Sequence, residues 1–374
     1  MRPLPQSRAG RSESTSGFST VSTGCRLPNA ARSRGSDMPR DRLWPAHPHP
    51  FPDELLSSWI VRIAHANAIK LQTLSWQLFG NERSPWNRDI DRSAPPWLLR
   101  ALCAHTGCNY WDAFHTTLVT YRGRLYPRRQ TSGRLSWVLP IKGHGMRRTA
   151  FSLQFCPACL AGDPIPYFRK TWRLALYTYC PEHQCALYDG CPACHSPITP
   201  HRGDFGRELT DARPMHACAT CGTDFREVPC HPVAFPSESL RVFCEAMLRS
   251  VMATTNTADR FDLGFFRVLH HLCGMICSRS NHRLLLEHLT TSLGYADVPL
   301  LPDGRIGIED IRGDVRHRVL LCGLWLVEDL EQRLREAWQT KAIRYNLMLK
   351  GFRTPPRWYG DVVSSLSNWR SSES

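Results

Sequence analysis

Four close pairs of soft metal ligands between residues 156 and 221 restrict this chain more than any other feature of its sequence. Cys156 and Cys159 in FCPAC are followed, after twenty residues, by Cys180 and His183 in CPEH. Cys191 and Cys194 in CPAC are followed, after twenty-three residues, by Cys218 and Cys221 in CATC. A Cys-x-x-Cys turn aims two thiolates at one point, and two such turns complete a tetrahedron around Zn²⁺. Pro157 and Pro192 stiffen their turns, and Gly222 offers a permissive backbone after Cys221. The spacing predicts two structural zinc ions, one on Cys156, Cys159, Cys180 and His183, the other on Cys191, Cys194, Cys218 and Cys221. Each set of four leaves no open position for a catalytic water. His183 argues against an iron–sulfur cluster at the first set, while the all-cysteine second set keeps that alternative open. Cys185, His195, His201, His216, Cys230 and His231 flank the pairs as alternative donors. Metal binding and folding are linked, so this region is expected to unfold without its ions.

The remaining cysteines do not suggest a disulfide framework. The chain has 16 cysteines, but its N-terminus lacks a charged stretch leading into an apolar one, and no run reaches the ~18 apolar residues of a membrane span. A reducing cytoplasm is the expected compartment. The formal net charge of +14 over 374 residues points to polyanionic partners, nucleic acid foremost. Neither a GxxxxGK[ST] phosphate loop, a GxSxG elbow nor a deaminase signature is present, and no nuclease-type acidic triad stands out, so an enzyme is not expected.

The patterning predicts a mainly α fold: an N-terminal helical part resembling a helix-turn-helix cluster, a small zinc-stabilised centre of tandem knuckles, and a C-terminal helical domain. Residues 1–43 are rich in Arg, Ser, Pro and Gly and read as a disordered leader. Met38 opens a compact run, so a start at Met38, with residues 1–37 dispensable, is the expectation. In the segment 44–150, Leu55, Trp59 and Ile63 share a helical face with Ile60 at its edge, behind a start signal at Pro52 and Asp53. Leu71, Leu74, Leu78 and Phe79 mark a second helix ending at Gly80. A third follows Pro95 and Pro96 and stops near Gly107, and a fourth after Asn109 carries Trp111, Phe114 and Leu118. LSWVLPI at 135–141 reads as a short strand. Residues 113–162 contain no Asp or Glu. Within them Arg122, Arg124, Arg128, Arg129, Arg134, Lys142, Arg147 and Arg148 alternate with Tyr121, Tyr126 and Trp137, a composition suited to phosphates and bases. The zinc region occupies 151–230. In 231–374, Leu320, Leu324, Val327, Leu330, Leu334 and Trp338 recur at helical spacing across 317–338. His270, Cys273 and Cys277 form a core stripe, with a third metal as the alternative. Lys341, Arg344, Lys350 and Arg353 form a second basic cluster.

Two segments resemble the TniQ family of transposition proteins. PFPDELLSSWIVRIAHAN resembles its N-terminal signature: a Pro-rich lead, an acidic pair and a Ser-Trp helix. FCPACLAGDPIPYFRKTWRLALYTYCPEHQCALYDGCPAC resembles its central zinc region through CxxCL, the Asp with a following Pro-Tyr, the Trp before the second pair and CPxH. The resemblance covers roughly residues 43–225 and is loose beyond. It implies a non-catalytic adaptor that engages DNA or a CRISPR-type guide complex, can dimerise, and recruits a TniB- or TnsC-like AAA+ ATPase that delivers a TniA-like transposase. Tyr167 and Trp172 are expected to pack between the first pair of knuckles. A stand-alone zinc-dependent transcription regulator is the second reading, and a metal-dependent hydrolase the third.

Overall fold

Leu56, Trp59, Ile60, Val61, Ile63 and Ala64 leave almost no surface of their helix in water, so the first helix is a core element rather than a surface one. This helix, α1 (Leu56–Ala66), begins three residues after Asp53. Asp53 does not cap it. The residue takes a positive φ of 57°, and its carboxylate accepts from the Thr171 hydroxyl at 2.6 Å and the Thr171 N–H at 3.3 Å. The computed structural model describes residues 43–80, 86, 88–128, 133–141, 143–144, 147–148, 151–253, 260–278, 283–301 and 306–366. Residues 1–42 of the leader, Met38 among them, lie outside them.

The N-terminal helices follow their punctuation. α2 (Leu71–Phe79) ends at Gly80, φ 66°, a conformation that costs a side-chain-bearing residue free energy. Its first N–H is satisfied at 2.5 Å by Asp204, 133 residues away, a cap that no local pattern announces. A one-turn α3 (Ile90–Ser93), capped by Asp89, precedes α4 (Pro96–Thr106), which has Pro96 at its first position. Asn109 caps α5 (Tyr110–His115) by accepting from the Trp111 N–H at 2.8 Å. That helix buries Ala113 and leaves Trp111 63% exposed, so Trp111 is not a core residue. The expected strand at 135–141 is absent. Trp137 takes φ 67° and gives its N–H to Glu309 at 2.7 Å, which leaves one isolated bridge, Val138 to Leu174.

Two-residue strands β1 (Gly143–His144) and β2 (Arg147–Arg148) form one antiparallel pair. The central region opens with α6 (Pro157–Gly162) and continues into the hairpin of β3 (Tyr179–Cys180) and β4 (Cys185–Ala186), in which Cys180 faces Cys185. The C-terminal bundle comprises α7 (Glu238–Met252), α8 (Leu263–Ile276), α9 (Leu284–Ser292), α10 (Gly313–Glu328), α11 (Leu330–Gln339), α12 (Tyr345–Met348) and α13 (Arg357–Ser365). α10 is its axis, packed on α7, α8 and α9. The apolar repeat over 317–338 does not form one helix. Asp329, at φ −132° and ψ 70°, leaves the helical region and divides it, while Leu320, Leu324, Leu330 and Leu334 remain buried on both sides.

Buried polar contacts join these parts into one compact unit. Arg62 makes a two-pronged ion pair with Glu54 at 3.0 and 2.7 Å. Arg173 reaches Asp89 at 2.6 Å and Asp91 at 2.9 Å. Arg316 of α10 donates to Gln154 and to the Ile311 carbonyl, each at 2.6 Å. His317 meets the Thr178 hydroxyl at 2.7 Å.

Two predictions follow from these contacts. Burial raises the Glu54 carboxyl while Arg62 lowers it, so Arg62→Ala leaves a desolvated acid without its partner. The variant is expected to lose about 3–5 kcal/mol of stability in denaturant unfolding, and a loss below ~1 kcal/mol would contradict the assignment. Burial lowers His317 from 6.5 to about 4. Between those values the unfolded chain binds the proton and the folded one does not, so stability is complete above pH 6.5 and is lost as pH falls toward 4. The shift is worth about 3 kcal/mol. His317→Gln should be less sensitive to acid than the parent across that window, as read by urea midpoints at each pH.

Candidate metal centres

The first four donors converge from two elements. Cys156 caps α6 and Pro157 occupies its first position, so the turn that aims this pair is also a helix start. Cys180 and His183 come from β3 and the turn behind it. The His183 Nδ1 lies 3.3 Å from Cys159 Sγ, 3.4 Å from Cys180 Sγ and 3.6 Å from Cys156 Sγ, and Cys159 and Cys180 are 3.6 Å apart. A tetrahedral ion with metal–sulfur bonds of about 2.3 Å has sulfur–sulfur edges of about 3.8 Å. These donors therefore surround a space of the right size, and their softness suits a zinc-like ion. The three sulfurs are buried and His183 is exposed.

The second four repeat one turn twice. His195 N–H donates to the Cys191 carbonyl and Gly222 N–H to the Cys218 carbonyl, both at 2.9 Å. The donating residues take φ 56° and 86°, so the residue after each second cysteine turns left-handed. Gly222 does so without strain, and a Cβ there would meet the Arg213 guanidinium at 2.8 Å. Cys191 lies 3.6 Å from Cys221 and Cys194 3.6 Å from Cys218. In each cluster all four donor atoms lie within 4.8 Å of one another, so both can hold a metal ion.

The crowded thiols push one another's titration apart, Cys159 upward as Cys156 falls. Hydrogen bonds from Cys159, Cys180 and Cys185 drive the Cys156 thiol well below its usual range. At the second cluster the Thr223 hydrogen bond takes Cys221 down to about 6, while burial pushes Cys218 up to about 12. A bound cation displaces the remaining protons.

None of the six flanking donors belongs to either four-donor group. His201 stacks on Trp86 with ring centroids 5.4 Å apart, His216 lies 3.8 Å from the Asp224 carboxylate, and His195, Cys230 and His231 are exposed. Cys185 is different, with its sulfur 3.5 Å from Cys156 Sγ. His270 pairs with Glu309 at 2.7 Å, while Cys273 and Cys277 are buried with the apolar face of α8. Tyr167 packs on Phe51 and bonds the Pro52 carbonyl, and Trp172 packs on Phe168. Both rings also take the Arg169 guanidinium over their faces.

The basic candidates divide. Arg122 and Arg128 are exposed. Arg124 turns inward to the Ser250 and Ala253 carbonyls at the end of α7, and Arg134 pairs with Asp310 at 2.5 Å. Arg129 and Lys142 lie outside the described residues, as do the side chains of Arg147 and Arg148. Lys341, Arg344, Lys350 and Arg353 are all exposed. Sequence reasoning passed over the Asp89–Asp91–Arg173 cluster, since its acids and its guanidinium lie more than eighty residues apart in the chain.

Cys159→Ser removes one of the four donors of the first cluster and none of the second. Divalent metal content per chain should fall by half, and limited proteolysis should cut within 151–190 first. Metal content unchanged both in Cys159→Ser and in Cys159→Ser/Cys185→Ser would show that Cys159 is not a ligand.

A family model described as TniQ matches residues 45–187. No curated protein matches the chain. The matched span takes in α1 to α6, the β3–β4 hairpin and the whole first donor cluster, and it ends before the second. This chain thus carries a TniQ domain, and that domain ties it to the TniQ family of transposition proteins.

Proposed function

We propose that the protein is a non-catalytic adaptor in DNA transposition, joining target DNA or a DNA-bound guide complex to an AAA+ ATPase regulator and, through it, to the transposase. The TniQ domain over residues 45–187 carries this reading. The donor clusters support it, because two closed four-donor sets suit structural zinc and offer no open position for hydrolysis. Zinc bound there would hold the loops 151–230 rigid, and the chain's own residues would do the binding. No helix among the described residues is long and apolar enough to cross a membrane.

Phosphate contact is assigned to the exposed cations: Arg122 and Arg128 on one segment, Lys341, Arg344, Lys350 and Arg353 on the other. Arg124, held by backbone carbonyls, and Arg134, exposed but paired with Asp310, are less suited. Each phosphate neutralised adds to the salt dependence of binding. Alanine at Lys341, Arg344, Lys350 and Arg353 together should weaken binding to all DNA sequences alike and flatten the salt slope, while metal content stays constant. The Arg122→Ala/Arg128→Ala pair, measured in parallel, apportions the contact. If neither set alters the slope, DNA contact through these cations is ruled out. A pull-down with a TniB- or TnsC-like AAA+ ATPase, with and without DNA, separates the adaptor from the alternative, a zinc-dependent transcription regulator, which would bind DNA and leave the ATPase behind.

A further inference from the structure

The first donor cluster has a fifth sulfur beside it. The β3–β4 register sets Cys185 directly opposite Cys180, and residues paired across an antiparallel ladder project from the same face. That face meets α6, and Cys185 Sγ stands 3.5 Å from Cys156 Sγ, within the range that separates the four donors themselves. Cys185 is also firmly placed. Ala186 N–H donates to the His231 carbonyl at 2.8 Å, Cys185 bridges to Pro232, and the Cys230 thiol lies against its sulfur. His183 is the reverse case. It is the one exposed donor at this cluster, carried on the turn between the strands, next to Gln184 at φ 51°.

We propose that Cys185 is a reserve ligand of the first metal centre. When His183 is withdrawn, the ion is held by Cys156, Cys159, Cys180 and Cys185. This rests on the reading that the cluster binds a zinc-like ion. Zn²⁺ accepts three thiolates with one imidazole or four thiolates equally well, so the exchange keeps the coordination number. The metal–nitrogen bond breaks, a metal–sulfur bond forms, and the Cys185 thiol proton passes to the freed imidazole or to water. Cys185 stands outside the group whose donor atoms all lie within 4.8 Å of one another, so its side chain would have to close toward the other three sulfurs to complete the set. The gain is a surface imidazole that a partner can engage without emptying the centre.

The test loads the full chain with ¹¹³Cd²⁺ and reads metal content together with the cadmium NMR spectrum, in which each added thiolate moves the resonance downfield. In the parent protein the second cluster supplies an internal four-thiolate reference, and the first cluster resonates upfield of it. His183→Ala is expected to keep two ions, with the first resonance shifted downfield to the four-thiolate position. His183→Ala/Cys185→Ser should keep only the second ion, whose unshifted resonance reports that the rest of the chain is folded. His183→Ala/Cys230→Ser should behave as His183→Ala. The proposal is overturned if His183→Ala binds one ion, or binds two without the downfield shift, or if the Cys185→Ser double variant keeps both. Should the parent itself bind no cadmium at the first cluster, the metal-site reading fails with it, a result recognisable before any variant is made.

Discussion

Buried charge that joins the segment before α1 to the segment between the donor pairs organises the N-terminal half. Asp53 accepts from Thr171, 118 residues away, and Glu54 holds Arg62 with both oxygens. The backbones follow: Leu55 N–H donates to the Phe168 carbonyl at 2.9 Å and Lys170 N–H to the Asp53 carbonyl at 2.6 Å. Ser58 serves both sides, donating to Glu54 and accepting the Phe168 N–H at 2.9 Å. Desolvated ions are costly unless every partner is present, so this clasp does not simply add stability. It penalises any arrangement in which α1 and residues 168–171 are apart, and so specifies how they meet.

The first donor cluster is mounted on that clasp. Asp163, at the end of α6, holds Arg169 at 3.0 and 2.9 Å, and Arg169 lies over the rings of Tyr167 and Trp172. Four residues further on, Arg173 is locked into Asp89, Asp91 and the Leu139 carbonyl. The twenty residues between Cys159 and Cys180 are thus an anchored strap rather than a loose loop, which brings β3 back to α6 with its donors converging. A family match that begins at residue 45 and ends at 187 spans both halves of this arrangement.

Electrostatics also decides which of the many cations already have a partner within the protein. A stretch of fifty residues without an acid looks like a continuous basic surface. In three dimensions Asp310 comes from the C-terminal bundle to neutralise Arg134, and the carbonyls ending α7 take Arg124. The carbonyl end of a helix carries partial negative charge, which makes it a natural seat for a guanidinium. The basic cluster at 341–353 keeps its charges at the surface. The acid-free rule tracked composition along the chain, whereas neutralisation depends on proximity.

By itself the sequence determined what short-range geometry controls. Cysteine pairs three residues apart must aim together, and Gly80, Gly107, Asn109 and Pro96 mark helix ends through their own backbone preferences. The two donor clusters and the mainly helical fold were legible for that reason. Tertiary structure decided what depends on residues far apart in the chain: the break at Asp329, the loss of the 135–141 strand to a Trp137–Glu309 hydrogen bond, and the exposure of Trp111. It also decided which basic side chains are already engaged and that Cys185 stands against Cys156, because strand register and charge pairing are set by distances in space, which no local spacing encodes.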